Sequence, residues 1–340
     1  MKNKKRKRML FILLLLLFPV WFTVFANIKN RSNGEIFHDS GREVWIFENG
    51  CQMKTDMEDF ILCVLMKQLA ADSPKELLKA QSVVVRTYIL KKMNGRTSIS
   101  SKELKLPFIT FSKMKEQWFL EYKKEEADTL GGWLANAFGI GKNRVFENKI
   151  EHLKDITDGT GGAVMKDDGE LILPLFHGMS NGNTRSGKDC IGANYEYLKK
   201  VVCNNVENEM IIEEKTFDLQ ALKQKLIQNG IVVYQGGKDL FADEKIGINE
   251  VVQMTEITQD DDGYVFSVKI GDTLIEGESF ATALGLRSVS FLMSVENNQL
   301  KFTTKGIGHG FGMDLTHATM LAKNKMDWKN ILKTYYDVTI

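Results

Sequence analysis

The 340-residue sequence is poor in proline and cysteine, with four of each, and holds five histidines and five tryptophans. So few prolines, beside 43% hydrophobic residues, exclude a collagen-like, low-complexity or disordered chain. Cys51, Cys63, Cys190 and Cys203 include no CxxC pair, and no Cys/His cluster has zinc-ligand spacing, so no metal or other cofactor is expected. The even count in an exported chain leaves buried thiols and a disulfide both open. Neither a GxSxG elbow nor an HExxH helix occurs, which removes the support for a serine hydrolase or a zincin. Charge of one sign is missing too. The net is +1, but the first eight residues carry six cations, and removing them leaves −5 for the rest. Phosphate binding needs clustered Lys/Arg, so nucleic acid is not an expected partner.

What is present begins at the N-terminus. After a basic tail (1–8), Met9–Ala26 runs for eighteen residues without a charge. At ~1.5 Å per residue this reaches roughly 27 Å, enough for a bilayer core. The cationic flank stays cytoplasmic, which places the remainder outside the cytoplasm. Val24-Phe25-Ala26 could serve as a signal-peptidase site. The length of the apolar run and Trp21 favour an uncleaved single-pass signal-anchor instead, followed by a juxtamembrane linker over 27–50.

Beyond the linker, a short strand is predicted over Glu43–Phe47. A helix follows over Asp56–Ala70, with its stripe at Phe60, Ile61, Val64, Leu65 and Met66. Ser73-Pro74-Lys75-Glu76 combines a Ser cap, Pro at the first helical position and Glu three residues on, so it opens a helix to about Met93. A further helix is expected near Lys113–Asp128, and a hairpin of AVMK and ELILPLFH turning at Asp167–Gly169. The sequence then predicts a helix over 217–229, two strands around Asp261-Asp262-Gly263, a short helix over 279–286, a hairpin turning at Asn297-Asn298, and two terminal helices. Mixed helices and antiparallel strands give an α+β domain, here 51–340, built around a substrate groove and preceded by one transmembrane helix.

Three segments could carry chemistry. Gly306–Gly312 reads GIGHGFG; its alternating glycines fit no nucleotide-binding fingerprint but let backbone approach a ligand or a strand closely, which makes His309 either a groove residue or a turn histidine. His177 opens the hydroxyl- and amide-rich loop 178–187, suited to a carbohydrate-like ligand, or simply bonds loop backbone. In KAQSVVVRTY, the polar Lys79, Gln81 and Arg86 interrupt an apolar helix, which an exposed face alone would explain.

Together these blocks resemble the SpoIID/LytB domain family, which groups stage II sporulation protein D of endospore formers with the amidase enhancers. The matching residues are Glu58-Asp59 before the apolar helix, Pro74 to Tyr88, Thr160-Gly161-Gly162, Phe176 to Thr184, Tyr197-Leu198 with Val201, Leu284 to Ser288, Gly306 to Met313, and Ile331 to Tyr336. The resemblance implies an extracytoplasmic domain that acts on peptidoglycan, alongside stage II sporulation proteins P and M or another cell-wall hydrolase. It also implies substrate-binding roles for Arg86, His177, Ser180, Asn181, Thr184 and His309. In the family a single Glu protonates the glycosidic oxygen, then accepts the muramyl 6-hydroxyl proton as an anhydro ring closes.

The departures fall on the chemistry. The family's catalytic Glu aligns with Gln68, its loop Ser with Gly178, and one Gly of that loop with Asn181. Its Ser-Gln pair near the C-terminus becomes Asp314-Leu315. The segment that holds zinc in some members, Leu106–Trp118, contains neither His nor Cys. Two function classes remain: a glycan-binding protein with weak or no cleavage, in effect a pseudoenzyme, or a lytic transglycosylase using another acid such as Glu58 or Asp72.

Overall fold

The structure, a computed structural model, describes residues 37–48, 50–125, 140–203, 211–242 and 246–340. The expected anchor, Met9–Ala26, lies outside the described residues. Among the described residues no helix is long and apolar enough to cross a membrane. The described residues divide into two compact units, those up to 71 with those between 92 and 155, and those of 72–91 with those from 156 onward.

In the first unit, β1 (Glu43–Glu48) pairs antiparallel with β2 (Cys51–Asp56), and parallel with β3 (Ser98–Ser100), which follows α2 (Lys75–Met93). Asp56 caps α1 (Met57–Gln68) by accepting from Glu58 N, and Glu58 and Asp59 complement the positive end of that helix. Every residue from Phe60 to Leu65 is buried. A helix apolar on all faces belongs inside a core. The chain before β1 is tied to α1, since His38 Nδ1 lies 2.6 Å from Asp59 Oδ1 and the Ser40 amide donates to Asp56 at 2.6 Å. Two further helices, α3 (Phe111–Glu125) and α4 (Ile140–Asp158), follow. The α4 helix was not anticipated, although Phe146, Ile150, Leu153 and Ile156 form its buried stripe.

Most of α2 belongs to the second unit, and its polar residues are not an exposed face. Gln81, Arg86 and Thr87 are all buried. Arg86 donates to Thr160 Oγ1 at 3.0 Å and to the Ala163 carbonyl at 3.2 Å, while Thr87 Oγ1 accepts from Met165 N at 3.0 Å. Buried polar groups persist where they are hydrogen-bonded, and these bonds fix the following chain against the helix. The hairpin of β4 (Lys166–Asp167) and β5 (Glu170–Leu171) is much shorter than the sequence suggests; residues 172–175 are irregular before β6 (Phe176–His177).

Residues 217–302 supply a separate hydrophobic cluster. β7 (Ile212–Phe217) and α5 (Leu219–Gln228) lead to an antiparallel meander of β8 (Thr255–Gln259), β9 (Val265–Ile270) and β10 (Thr273–Glu276), with α6 (Gly277–Leu284) after it. The predicted pair of strands is thus three. β11 (Phe291–Glu296) and β12 (Gln299–Lys305) form the hairpin expected at Asn297-Asn298, whose φ values of 51° and 58° suit a two-residue turn. β12 also pairs with β7, in the order β11-β12-β7, and the rings of Phe217, Phe280, Phe291 and Phe302 pack against one another beneath. The chain closes with β13 (Met313–Asp314), α7 (Leu315–Lys323) and α8 (Trp328–Tyr335).

Candidate functional site

β6 and β13 pair in parallel, Phe176 beside Met313 and His177 beside Asp314. From this pair the 178–187 loop and the Gly-rich run stay in contact. Met179 and Ile307 exchange amide hydrogen bonds of 3.1 and 2.7 Å, and Arg185 N donates to Gly310 O at 2.8 Å. The two segments therefore make one wall of the second unit. The alternating glycines follow from this packing. A Cβ on Gly310 would sit 2.5 Å from the Tyr264 ring, and one on Gly312 would overlap the Leu175 carbonyl, with both residues at positive φ.

His177 is buried in the wall, and its Nδ1 lies 3.0 Å from the Phe311 carbonyl oxygen. A carbonyl can only accept, so Nδ1 carries the proton and Nε2 keeps its lone pair. That Nε2 is itself buried, with no protein partner among the described residues. Burial pushes the imidazole pKa down, against the opposing pull of the Asp314 carboxylate and the Phe311 carbonyl. His309, with its ring centre 5.8 Å away, accepts from Phe311 N at 3.0 Å through Nδ1. Its pKa falls to about 3, through burial first, then the His177 ring and the Arg185 cation. Both shifts favour the neutral rings, so the wall holds one unmatched acceptor, His177 Nε2, and no imidazolium to supply an acidic proton.

The other expected residues mostly hold this wall in place. Asp314 is fully buried and accepts from Ser180 N at 2.8 Å and His317 N at 3.0 Å, capping α7. His317 Nδ1 in turn meets the Tyr335 hydroxyl at 2.8 Å. Ser180 Oγ is buried next to the Cys203 thiol, whose pKa is pushed up to about 12 by burial and then by Asp314. Thr184 Oγ1 donates to Lys199 O at 2.9 Å and accepts from Val201 N at 2.8 Å. Asn181 Nδ2 donates to the Asp262 carbonyl at 2.7 Å and to Ser290 Oγ at 3.0 Å.

Sequence reasoning missed Arg185, Asp260 and Tyr264. Arg185 forms a 2.6 Å ion pair with Asp260 and lies 4.3 Å over the Phe311 ring. Tyr264 donates to Asn183 O at 2.9 Å and accepts from Asn181 N at 3.0 Å. The available signal was the Asp260-Asp261-Asp262 run, read only as a turn. Among the described residues Cys63, Cys190 and Cys203 form no disulfide.

His177, Ser180, Asn181, Thr184 and His309 thus come together. Arg86 is engaged with the Thr160 turn. Gln68 is the last residue of α1 in the first unit, its amide nitrogen buried. Glu58, at the start of the same helix, is ten residues away, or about 15 Å along the axis. Asp72 is exposed between α1 and α2.

Residues 50–164 match the family model described as SpoIID, stage II sporulation protein. This segment is similar to the SpoIID domain. It is 25% identical over 285 residues to stage II sporulation protein D of Bacillus subtilis strain 168, covering 83% of this chain and 73% of that one. The same protein of Bacillus amyloliquefaciens gives 25% over 285 residues, with 82% and 72% covered. An uncharacterized protein of Brachyspira hyodysenteriae is 28% identical over 291 residues, covering 83% of this chain and 65% of its own length. The segment matched to the SpoIID model contains Gln68 and Arg86, and the His177 wall follows it in sequence.

Proposed function

We propose that this chain is a cell-wall protein of sporulation that holds the glycan strand of peptidoglycan and cleaves it weakly or not at all. In this reading Met9–Ala26 keeps it in the membrane, with residues 27–340 outside the cytoplasm. The names of the two Bacillus relatives support the sporulation role. The observation that carries the binding reading is the buried, unprotonated Nε2 of His177, which lacks a protein donor among the described residues. Leaving a buried acceptor unmatched costs roughly 1–3 kcal/mol, and a sugar hydroxyl is a donor of the right kind.

The weak cleavage rests on Gln68 at the position of the family's catalytic Glu. An amide has nearly the shape of the acid and still hydrogen-bonds a sugar. It has no acidic proton for the leaving oxygen and no carboxylate for the 6-hydroxyl proton. Each assisted transfer contributes about 10²–10⁴ in rate, or about 3–5 kcal/mol of barrier. Cleavage would then fall to a partner, such as stage II sporulation protein P or M or another cell-wall hydrolase.

The test is co-sedimentation of the full-length protein with purified peptidoglycan, with the supernatant analysed by mass spectrometry. Sedimentation with no anhydromuramyl product is the expected result. A protein that stays in solution would remove the binding reading.

A further inference from the structure

Beside the His177 wall, a cleft of about 280 Å³ opens on the outer face of the β11-β12 hairpin. Leu292 lies opposite Thr303, and the Lys305 amide donates to Ser290 O at 2.9 Å, so Ser290 lies opposite Lys305. The two-residue period of a strand puts these four side chains on one face and turns Phe291, Phe302 and Thr304 into the core. Asn183 and Gln259 line the side of the cleft. Asn181, Ser290 and Tyr264 are tied to one another and to the 259–263 turn, so they set its shape rather than face a ligand.

The groups left over define a ligand. The Asn183 amide, Gln259 Oε1, Thr303 Oγ1 and Lys305 Nζ have no partner among the described residues, since Gln259 uses only Nε2, on the Phe291 carbonyl. Asp262 already faces Lys200 at 2.6 Å, so among the described residues Lys305 is the charge in the cleft without a counter-ion. Leu292, 60% exposed, supplies an apolar floor. Phe291 is 2% exposed and points inward, so no ring from it is presented for a sugar to stack on.

The strand edge adds a second feature. Ser290 bonds toward β12, so Phe291, Met293 and Val295 direct their backbone N–H and C=O groups away from it. Among the described residues β11 is the terminal strand of its sheet, and of these three residues the Phe291 carbonyl alone is capped by one of them. A free strand edge is a template for an extended chain. Side-chain amides match peptide N–H and C=O groups pairwise, and a lone ammonium takes a carboxylate.

We propose that this cleft, with the adjoining edge of β11, docks an extended carboxylate-bearing peptide, its carboxylate on Lys305 and an aliphatic side chain on Leu292. Identifying that peptide with the stem peptide of peptidoglycan rests on the glycan-strand reading above. Binding of the peptide by itself does not.

The probe is the acidic tetrapeptide that an N-acetylmuramoyl-L-alanine amidase releases from purified peptidoglycan, titrated into the full-length protein, with chitotetraose as the saccharide control. The tetrapeptide should bind, Lys305→Gln should weaken it about tenfold, and Lys305→Arg should retain it. Leu292→Ser should weaken it severalfold. Both side chains are exposed, so these variants fold. No binding of the tetrapeptide, or equal binding by Lys305→Gln, overturns the proposal. Loss of chitotetraose binding in that variant, with the tetrapeptide ignored throughout, makes the cleft a saccharide site and overturns it equally. Tetrapeptide binding by a protein that does not sediment with peptide-free glycan would sink the glycan-strand reading and leave this site standing.

Discussion

His177 and Phe311 are joined by a 3.0 Å hydrogen bond from imidazole Nδ1 to carbonyl oxygen, and this bond decides which nitrogen of the ring can serve a ligand. Because the peptide oxygen holds the proton at Nδ1, Nε2 is available only to accept. Replacing His177 by Ala should weaken sedimentation with peptidoglycan about tenfold, the worth of one hydrogen bond. Thermal melting of the variant separates this from a loss of fold. Unchanged sedimentation by a folded His177→Ala protein would remove the residue from the binding wall.

Acid should destabilise the protein well above the usual carboxylate range. Burial lowers the pKa of His177, His309 and His317 in the folded state, His309 to about 3. Between the unfolded value near 6.5 and the folded ones, the unfolded chain binds more protons, so stability falls as pH falls. Each such histidine contributes at most about 1.4 kcal/mol per pH unit. Glu278, its pKa raised by burial and then by Glu276, opposes the trend. Urea midpoints should therefore drop steadily from pH 7 to pH 5; a flat or rising midpoint would contradict the burial of these rings.

Gly312→Ala should be among the most damaging single substitutions in the Gly-rich run. The residue sits at φ +67°, and a Cβ would overlap the Leu175 carbonyl. Backbone strain of this kind alone costs about 1–3 kcal/mol, and the overlap forces the 172–175 segment to move. A melting temperature within a degree of wild type would contradict the close packing.

Much of the fold was legible where its causes are local. Ser73-Pro74 marks the start of α2, Asn297-Asn298 turns β11 into β12, and the terminal helices carry their own apolar stripes. Legibility failed where the cause lies far along the chain. Arg86 and Gln81 read as a solvated face because the partners that satisfy Arg86 are 74 residues away or more. ELILPLFH has strand composition throughout, yet beyond Leu171 only Phe176 and His177 find a partner strand, near the C-terminus. At the site, GIGHGFG and the histidine-led loop were visible as unusual segments. Their direct pairing was not, since His177 and Phe311 are separated by 134 positions. Asp314 was visible only as a departure from the family pattern, and the structure gives it the work of holding Ser180 and His317.

The central claim, binding without effective cleavage, is tested most directly by the anhydromuramyl yield from peptidoglycan treated with wild type, Gln68→Glu and Gln68→Ala at equal bound protein. Wild type and Gln68→Ala should both stay at background, and Gln68→Glu should sediment as wild type does and be the variant able to release product. Robust release by wild type, unchanged in Gln68→Ala, would contradict the account and place the catalytic acid elsewhere in the chain.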